Sequence, residues 1–263
     1  MKNSERNPIS KALRALSWLI QTPAAEVGVR QMAQALELSP SNAHSVLNAL
    51  VEEGFVQQDA RTSRYSLGPE LLRWAQLITA RAPIRQIALT HMRKLVDACN
   101  ETAVLGIYSS ARQEMMFAAT VESTHPLRYA LELNKWIPVH AGASGLAIMA
   151  FLPEAEIRSI IQRTKLAPLT PQSITKPQRL ENELKAIRRR GFAITRGQRI
   201  PGAVGLAAPV FGSSCEVAGD IALTIPEQRF DQSGSDRLMR LLLACAASVT
   251  ADLGGVTPVV SAP

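Results

Sequence analysis

Two groups of residues in this 263-residue chain have types and spacings that could do chemistry. In the first, Ser41, Asn42, His44, Ser45 and Asn48 share one side of a helical run. The other side of that run carries Ala43, Val46, Leu47, Leu50 and Val51. Hydroxyls, an imidazole and carboxamides on one face can hydrogen-bond to base edges or phosphates, and an Asn amide can bond an adenine edge twice over. Any amphipathic helix has a polar side, so this face alone does not separate a nucleic-acid reader from a solvated surface. In the second group, His140 precedes Ser144 in the loop His140-Ala141-Gly142-Ala143-Ser144-Gly145, and Cys215 lies in a later loop. A nucleophile and its base could be drawn from these. The spacing argues against it: the residue two after Ser144 is Leu146, so no Gly-x-Ser-x-Gly elbow exists. The chain also lacks a Walker-type loop, His-Glu-x-x-His and Cys-x-x-Cys. A non-enzyme is expected, with an organic-acid-processing enzyme as one alternative.

The context of the first group favours nucleic acid. Val29, Met32, Ala33, Ala35 and Leu36 predict a preceding short helix with one buried face. Leu38 follows as an apolar plug, Ser39 can cap the next helix, and Pro40 suits its first position. Gly54 ends that helix, residues 55–58 and 64–67 read as strands, and a polar loop with Arg61 lies between them. This order is a winged helix-turn-helix, which lays its second helix in the major groove of DNA. Arg61 and Arg64 of the wing can then meet phosphate or the minor groove.

Length suits one large or two modest domains, and 46% hydrophobic content supplies packed cores. No stretch is apolar enough to span a membrane, and MKNSERNPIS lacks the apolar run of a signal peptide. Cys99, Cys215 and Cys245 give neither a disulfide framework nor a zinc pattern, so a cytoplasmic protein without metal or cofactor is expected. The net charge of +7 invites an anionic partner. Residues 1–79 nevertheless carry 8 Lys+Arg against 7 Asp+Glu, while residues 80–263 carry 21 against 15. Most of the excess therefore lies outside the predicted DNA module and suits an anionic small molecule at least as well.

Taken in order, residues 1–8 read as a loose tail, followed by a helix from Ser10 to the break at Pro23. Lys11 and Arg14 on that helix can touch phosphate. A linker helix is predicted over 69–82, ended by Pro83. Its apolar face, with Leu71, Leu72, Ala75 and Ile78, suits a partner linker in a dimer or packing back on its own domain. Beyond it come a helix over 84–99, a hairpin over 102–108 and 114–121, a strand over 128–133 and helices over 146–151, 154–162 and 177–190. The basic end Arg188-Arg189-Arg190 reads as a solvated helix terminus. Strands over 192–196, 204–211 and 218–225, a helix over 235–253 and a loose tail over 254–263 complete the chain. A sheet of hairpins with helices packed on it is an α+β, GAF-like arrangement.

The segments SPSNAHSVLNALVEEGFVQQD and RYSLGPELLRWA resemble the DNA-binding half of the IclR (isocitrate-lyase-regulator) transcription factors. WIPVHAGASGLAIMAFL resembles the first signature of that family's effector domain, and GFAITRGQRIPGAVGLAAPVFG the second. The resemblance covers roughly residues 9–251 in order. It implies a winged helix-turn-helix over 1–68, a linker helix over 69–82 and a GAF-like effector-binding domain over 83–253. It also implies a double-stranded, pseudo-palindromic DNA operator, a small organic acid effector, and a homodimer or dimer of dimers. Family acids bind near the first signature loop and the strands of the second, which maps here onto Ala143, Ser144, Gly145, Ala203, Gly205, Ala222 and Thr224. Two positions depart from the family. Gln198 stands where an acidic residue is frequent, and Thr224-Ile225-Pro226 replaces the usual Ser-Gly-Pro step. The small residues leave room for a bulky, aromatic acid, and Arg199 or Arg128 can balance its charge. The remaining alternative is a DNA-binding oligomer that takes no ligand.

Overall fold

The computed structural model describes residues 7–81, 84–231 and 235–258. They fall into two compact units, Met1–Ala82 and Pro83–Pro263. The expected break at Pro83, the first six residues of the N-terminal tail and the last five of the C-terminal tail lie outside the described residues.

In the first unit, helices α1 (Pro8–Gln21), α2 (Val29–Leu36) and α3 (Pro40–Glu52) precede strands β1 (Val56–Gln58) and β2 (Tyr65–Leu67) and helix α4 (Pro69–Arg81). Helix α1 starts earlier than the sequence suggests. Asn7 accepts the Ile9 N–H as its cap, and Pro8 takes the first turn, where a missing N–H costs nothing. Ser39 caps α3 by accepting the Asn42 N–H at 3.3 Å. Gly54, at φ 74, turns the chain out of α3 into the wing. Ala15, Leu19, Met32, Leu36, Ala43, Leu47 and Leu50 join Val56 and the fully buried Tyr65 in one core. Leu38 packs against it as the expected plug. Val27 and Tyr65 exchange both backbone hydrogen bonds at 2.8 Å, tying the wing to the entrance of α2. On α4, Trp74 packs edge-on against Phe55 with ring centroids 4.6 Å apart. Leu72, Leu77 and Ile78 stay exposed on that helix.

The second unit holds a six-stranded antiparallel sheet in the order β5-β4-β3-β8-β7-β6. Its strands are β3 (Thr102–Ser109), β4 (Glu114–Val121), β5 (Ile137–Pro138), β6 (Ala193–Arg196), β7 (Ala203–Phe211) and β8 (Val217–Pro226). Alternation along each strand divides the side chains between two cores. Ala103, Leu105, Leu206, Ile221 and Leu223 face α5 (Ile84–Cys99) and α9 (Ser235–Asp252). Val104, Phe117, Ala207 and Ala222 face α6 (Ala143–Met149), α7 (Glu154–Thr164) and α8 (Pro177–Arg190). The result is the expected α+β arrangement, a sheet between two layers of helices.

Three local expectations need correction. Residues 128–133 form no strand. Arg128 is drawn to Glu122 at 2.7 Å, Leu131 and Leu133 lean on the core, and pairing with β4 is deferred to β5. The helix expected at 146 begins at Ala143, because Gly142, at φ 84, has already turned the chain. The basic end of α8 is not simply solvated: Arg188 donates to the Ala150 carbonyl at the end of α6, and Arg190 pairs with Glu183 at 2.7 Å. Carbonyls at the end of a helix lack partners within it, and Arg188 supplies one.

Leu47 is fully buried in the N-terminal core, so Leu47→Ala should destabilise that unit by about 2–5 kcal/mol. Chemical denaturation followed by circular dichroism measures this; a loss below about 1 kcal/mol would mean the α3 face is not packed as described.

Candidate functional site

The outward face of α3 gathers all five sequence candidates. Ser41, Asn42, His44, Ser45 and Asn48 are exposed, while Ala43, Leu47 and Leu50 point inward. The Asn48 amide nitrogen lies 3.4 Å from His44 Nδ1, so the two side chains support one another across a turn. No Lys or Arg occurs on this helix. In the wing, the Asp59 carboxylate accepts the N–H groups of Arg61 (2.8 Å) and Thr62 (2.7 Å). Those bonds hold its carboxyl below the usual range and fix a tight tip. Arg61 projects from that tip and is exposed. Arg64 is placed differently from Arg61. Its guanidinium donates to the Glu26 carbonyl at 2.9 Å and to Gln31 at 3.3 Å, which makes it a strut between wing and α2.

In the second unit the strand register builds a floor of small residues beneath α6. Thr195, Gly205 and Thr224 lie in one cross-strand row, and Ala193, Ala207, Ala222 and Val104 in the next. A Cβ on Gly205 would stand 3.0 Å from that of Ala143, so only glycine lets the start of α6 settle there. Above this floor is a cavity of ≈ 40 Å³. Ala143, Ser144, Ala203, Gly205, Ala222 and Thr224 all line it. Gly145 does not; a Cβ there would overlap the Val139 carbonyl, so its smallness serves close packing. The sequence reading missed Phe117, Leu131, Thr195 and Ile200 as wall residues. Gln198, noted earlier only as a departure from the family, also lines the cavity. Alternation on β4 and β6 could have supplied Phe117 and Thr195.

Of the two arginines offered as charge partners, Arg199 lines the cavity and Arg128 is committed to Glu122 at the surface. Arg199 donates to the carbonyls of Pro138 (2.6 Å) and Ala141 (2.7 Å), and its Nε has no partner. Burial lowers its pKa to about 10, with Asp220 opposing that shift. Asp220 is fully buried on β8, and neither carboxylate oxygen has a hydrogen-bond partner among the described residues. Its side chain fits because it lies over Gly106 of β3, where any Cβ would overlap Oδ1. Burial pushes its pKa up to about 7. The Ser144 hydroxyl, near it but short of a completed bond, and Arg199 both pull the other way. His140 is also buried; its Nε2 meets the Ala167 carbonyl at 2.8 Å, and burial lowers its pKa. Cys215 is exposed in a turn, and nothing places it with His140 or Ser144 as a catalytic pair.

No described helix is long and apolar enough to cross a membrane, and no metal-holding cluster occurs among the described residues. A winged helix-turn-helix with an exposed polar face on its second helix, joined to a sheet domain with a small, mainly apolar cavity, defines a DNA-binding regulator with a second unit of its own. The chain belongs to the IclR family of bacterial transcriptional regulators. Its helix-turn-helix domain matches residues 8–60 and its C-terminal domain residues 76–251. The glycerol operon regulatory protein of Streptomyces griseus is 31% identical over 87% of this chain and 89% of its own length. An IclR transcriptional regulator of Silicibacter sp. TM1040 has the same fold, with a TM-score of 0.79 at 26% identity over 96% of this chain and 98% of that one. An IclR homolog of Microbacterium hydrocarbonoxydans, solved with 4-hydroxybenzoate, gives a TM-score of 0.80 at 21% identity over 94% and 99%.

Asp220 ties stability to pH. Its pKa is higher in the folded chain, about 7, than the ordinary 3.8 of an exposed carboxyl. Between those values the unfolded chain loses its proton and the folded chain keeps it, so this group makes stability fall as pH rises through that window. Above the folded pKa the loss is complete. Asp220→Asn cannot ionise, so its melting temperature relative to the wild type should climb from about pH 5 to about pH 7 and then level off. Scanning calorimetry of both proteins tests this; a difference constant over the range would contradict the assignment.

Proposed function

We propose that this regulator binds a pseudo-palindromic operator as a homodimer or dimer of dimers in the cytoplasm, and that a small organic acid in the α6 cavity alters its operator affinity. The observation that carries the sensor reading is the buried Arg199 guanidinium on the cavity wall, beside a floor of small residues. A cation without bulk water around it attracts a carboxylate far more strongly than an exposed one does. The 4-hydroxybenzoate held by the Microbacterium relative supports a small organic acid as the class of ligand. As a sensor, the protein releases the acid unchanged. The exposed apolar residues of α4, Leu72, Leu77 and Ile78, supply a face for a second copy.

Ser41, Asn42, His44, Ser45 and Asn48 are the proposed base-reading set, with Arg61 on phosphate or in the minor groove. Arg64 belongs to the same interface through its strut to α2, which sets the angle of the wing. Ligand binding shifts operator affinity by no more than the difference in its affinity for the two arrangements of the protein.

Gel-shift titration on the protein's own upstream intergenic DNA, with and without aromatic and small aliphatic acids, tests the whole reading. A specific shift altered by one acid is expected; no specific shift, with an acid consumed, would overturn it. Asn48→Ala should weaken operator binding by about 1–3 kcal/mol and relax one base position. Arg61→Ala should weaken all sequences alike and flatten the salt dependence, whereas a loss confined to one sequence would move Arg61 to base reading.

A further inference from the structure

The cavity and its surroundings hold more hydrogen-bond acceptors than a plain carboxylic acid can use. Asp220 Oδ1 and Oδ2 and Gln198 Oε1 are buried without a partner. His140 Nδ1 is in the same condition, and it is an acceptor when Nε2 carries the proton toward the Ala167 carbonyl. Against these stands one unpartnered buried donor, Arg199 Nε. Buried polar atoms are nearly always satisfied, so such a surplus in one place marks a site built for an occupant.

The strands say where that occupant would reach. Asp220, Ala222 and Thr224 alternate with Ile221 and Leu223 and so share one face of β8. Ala222 and Thr224 are cavity wall. Asp220 is one step deeper, about 7 Å along the strand from Ala222. Asp220 is not itself part of the lining, but Ser144 lines the cavity and also neighbours Asp220, so Ser144 is the link between the two. Gly106 keeps the Asp220 side chain from being displaced by its neighbour on β3.

We propose that the effector is an acid that also carries a hydrogen-bond donor, a hydroxy acid, with its carboxylate on Arg199 and its hydroxyl donated to Asp220 beside Ser144. This deepens the sensor reading and rests on it. Asp220 is then the residue that tells a hydroxy acid from its deoxy counterpart. A site built to bond a hydroxyl rejects the analogue that lacks one, because the buried carboxylate is left unpaired. Arg199 alone draws any small acid; the pair selects among them.

The test uses the full-length protein and matched probes: propionate against lactate, phenylacetate against mandelate, and benzoate against 4-hydroxybenzoate. Calorimetric titration and the gel shift are read for each. In the wild type above about pH 7, where the Asp220 carboxyl is ionised, at least one hydroxy acid should bind about tenfold or more tightly than its deoxy match, the ratio expected of a hydrogen bond to a charged group. In Asp220→Val, which removes both acceptors and keeps a strand-compatible side chain, that ratio should collapse toward one. Asp220→Asn, which keeps a single acceptor, should fall between. Equal affinities within every pair in the wild type overturn the proposal without any variant. So does a preference of undiminished size in both variants. If none of the acids binds or changes the gel shift, the sensor reading itself fails, and the proposal fails with it.

Discussion

The effector unit depends on a guanidinium held out of water. Arg199 reaches from the loop before β7 to the carbonyls of Pro138 and Ala141, and so fixes the turn from which α6 starts. Gly142 is required at that turn twice over: its φ is 84, and a Cβ would press on the Arg199 side chain at 3.0 Å. Desolvating an ion costs several kcal/mol, and two carbonyl bonds and the nearby Asp220 are what the structure sets against that cost. A charge kept at such a cost, on the wall of a cavity, is better explained by what it meets there than by stability.

The floor under α6 is a consequence of register. Each row across β6, β7, β8 and β3 brings small residues together: Gly205 beside Thr224, Ala207 beside Ala222, Gly106 beside Asp220. Shifting one strand by a residue would exchange these for Leu206, Leu223 and Ile221, which fill the opposite core. The same alternation that packs α5 and α9 on one side therefore keeps the other side open enough for α6 to approach and leave a cavity.

Much of this was legible because it is local. Ser39-Pro40, Gly54 and the two short strands of the wing announce themselves by capping and turn chemistry, and periodicity on α5, α8 and α9 is regular. The expected strand over 128–133 failed because alternation there reflects two leucines leaning on a core, with no strand beside them to complete a ladder. Asp220 was not legible. It sits in the run AGDIALTIP as one acid in an apolar strand, and only the pairing with Gly106 and the proximity of Arg199 and Ser144 show what it faces. Arg64 read as a free wing cation for the converse reason: its partners Glu26 and Gln31 are distant in sequence.

The recognition surface carries its own constraint. Its helix bears no cation, and several cations of the first unit already have work inside it: Arg14 on the Leu36 carbonyl, Arg64 on α2, Arg73 on Glu70. Among the described side chains of that unit, Lys11, Arg30 and Arg61 are left to meet phosphate. Phosphate contacts by these three alone would release few counterions, so they would supply one module with little of the salt-dependent affinity that usually dominates DNA binding. Two modules on one duplex change this, since the second binds at the high effective concentration set by the first. Small geometric changes between the two copies then have large effects on affinity, because avidity is lost once both sites cannot be engaged together. On the proposed dimer, a reading head with few free cations would make operator binding depend on assembly, and so expose it to whatever the proposed ligand does to the arrangement of the copies.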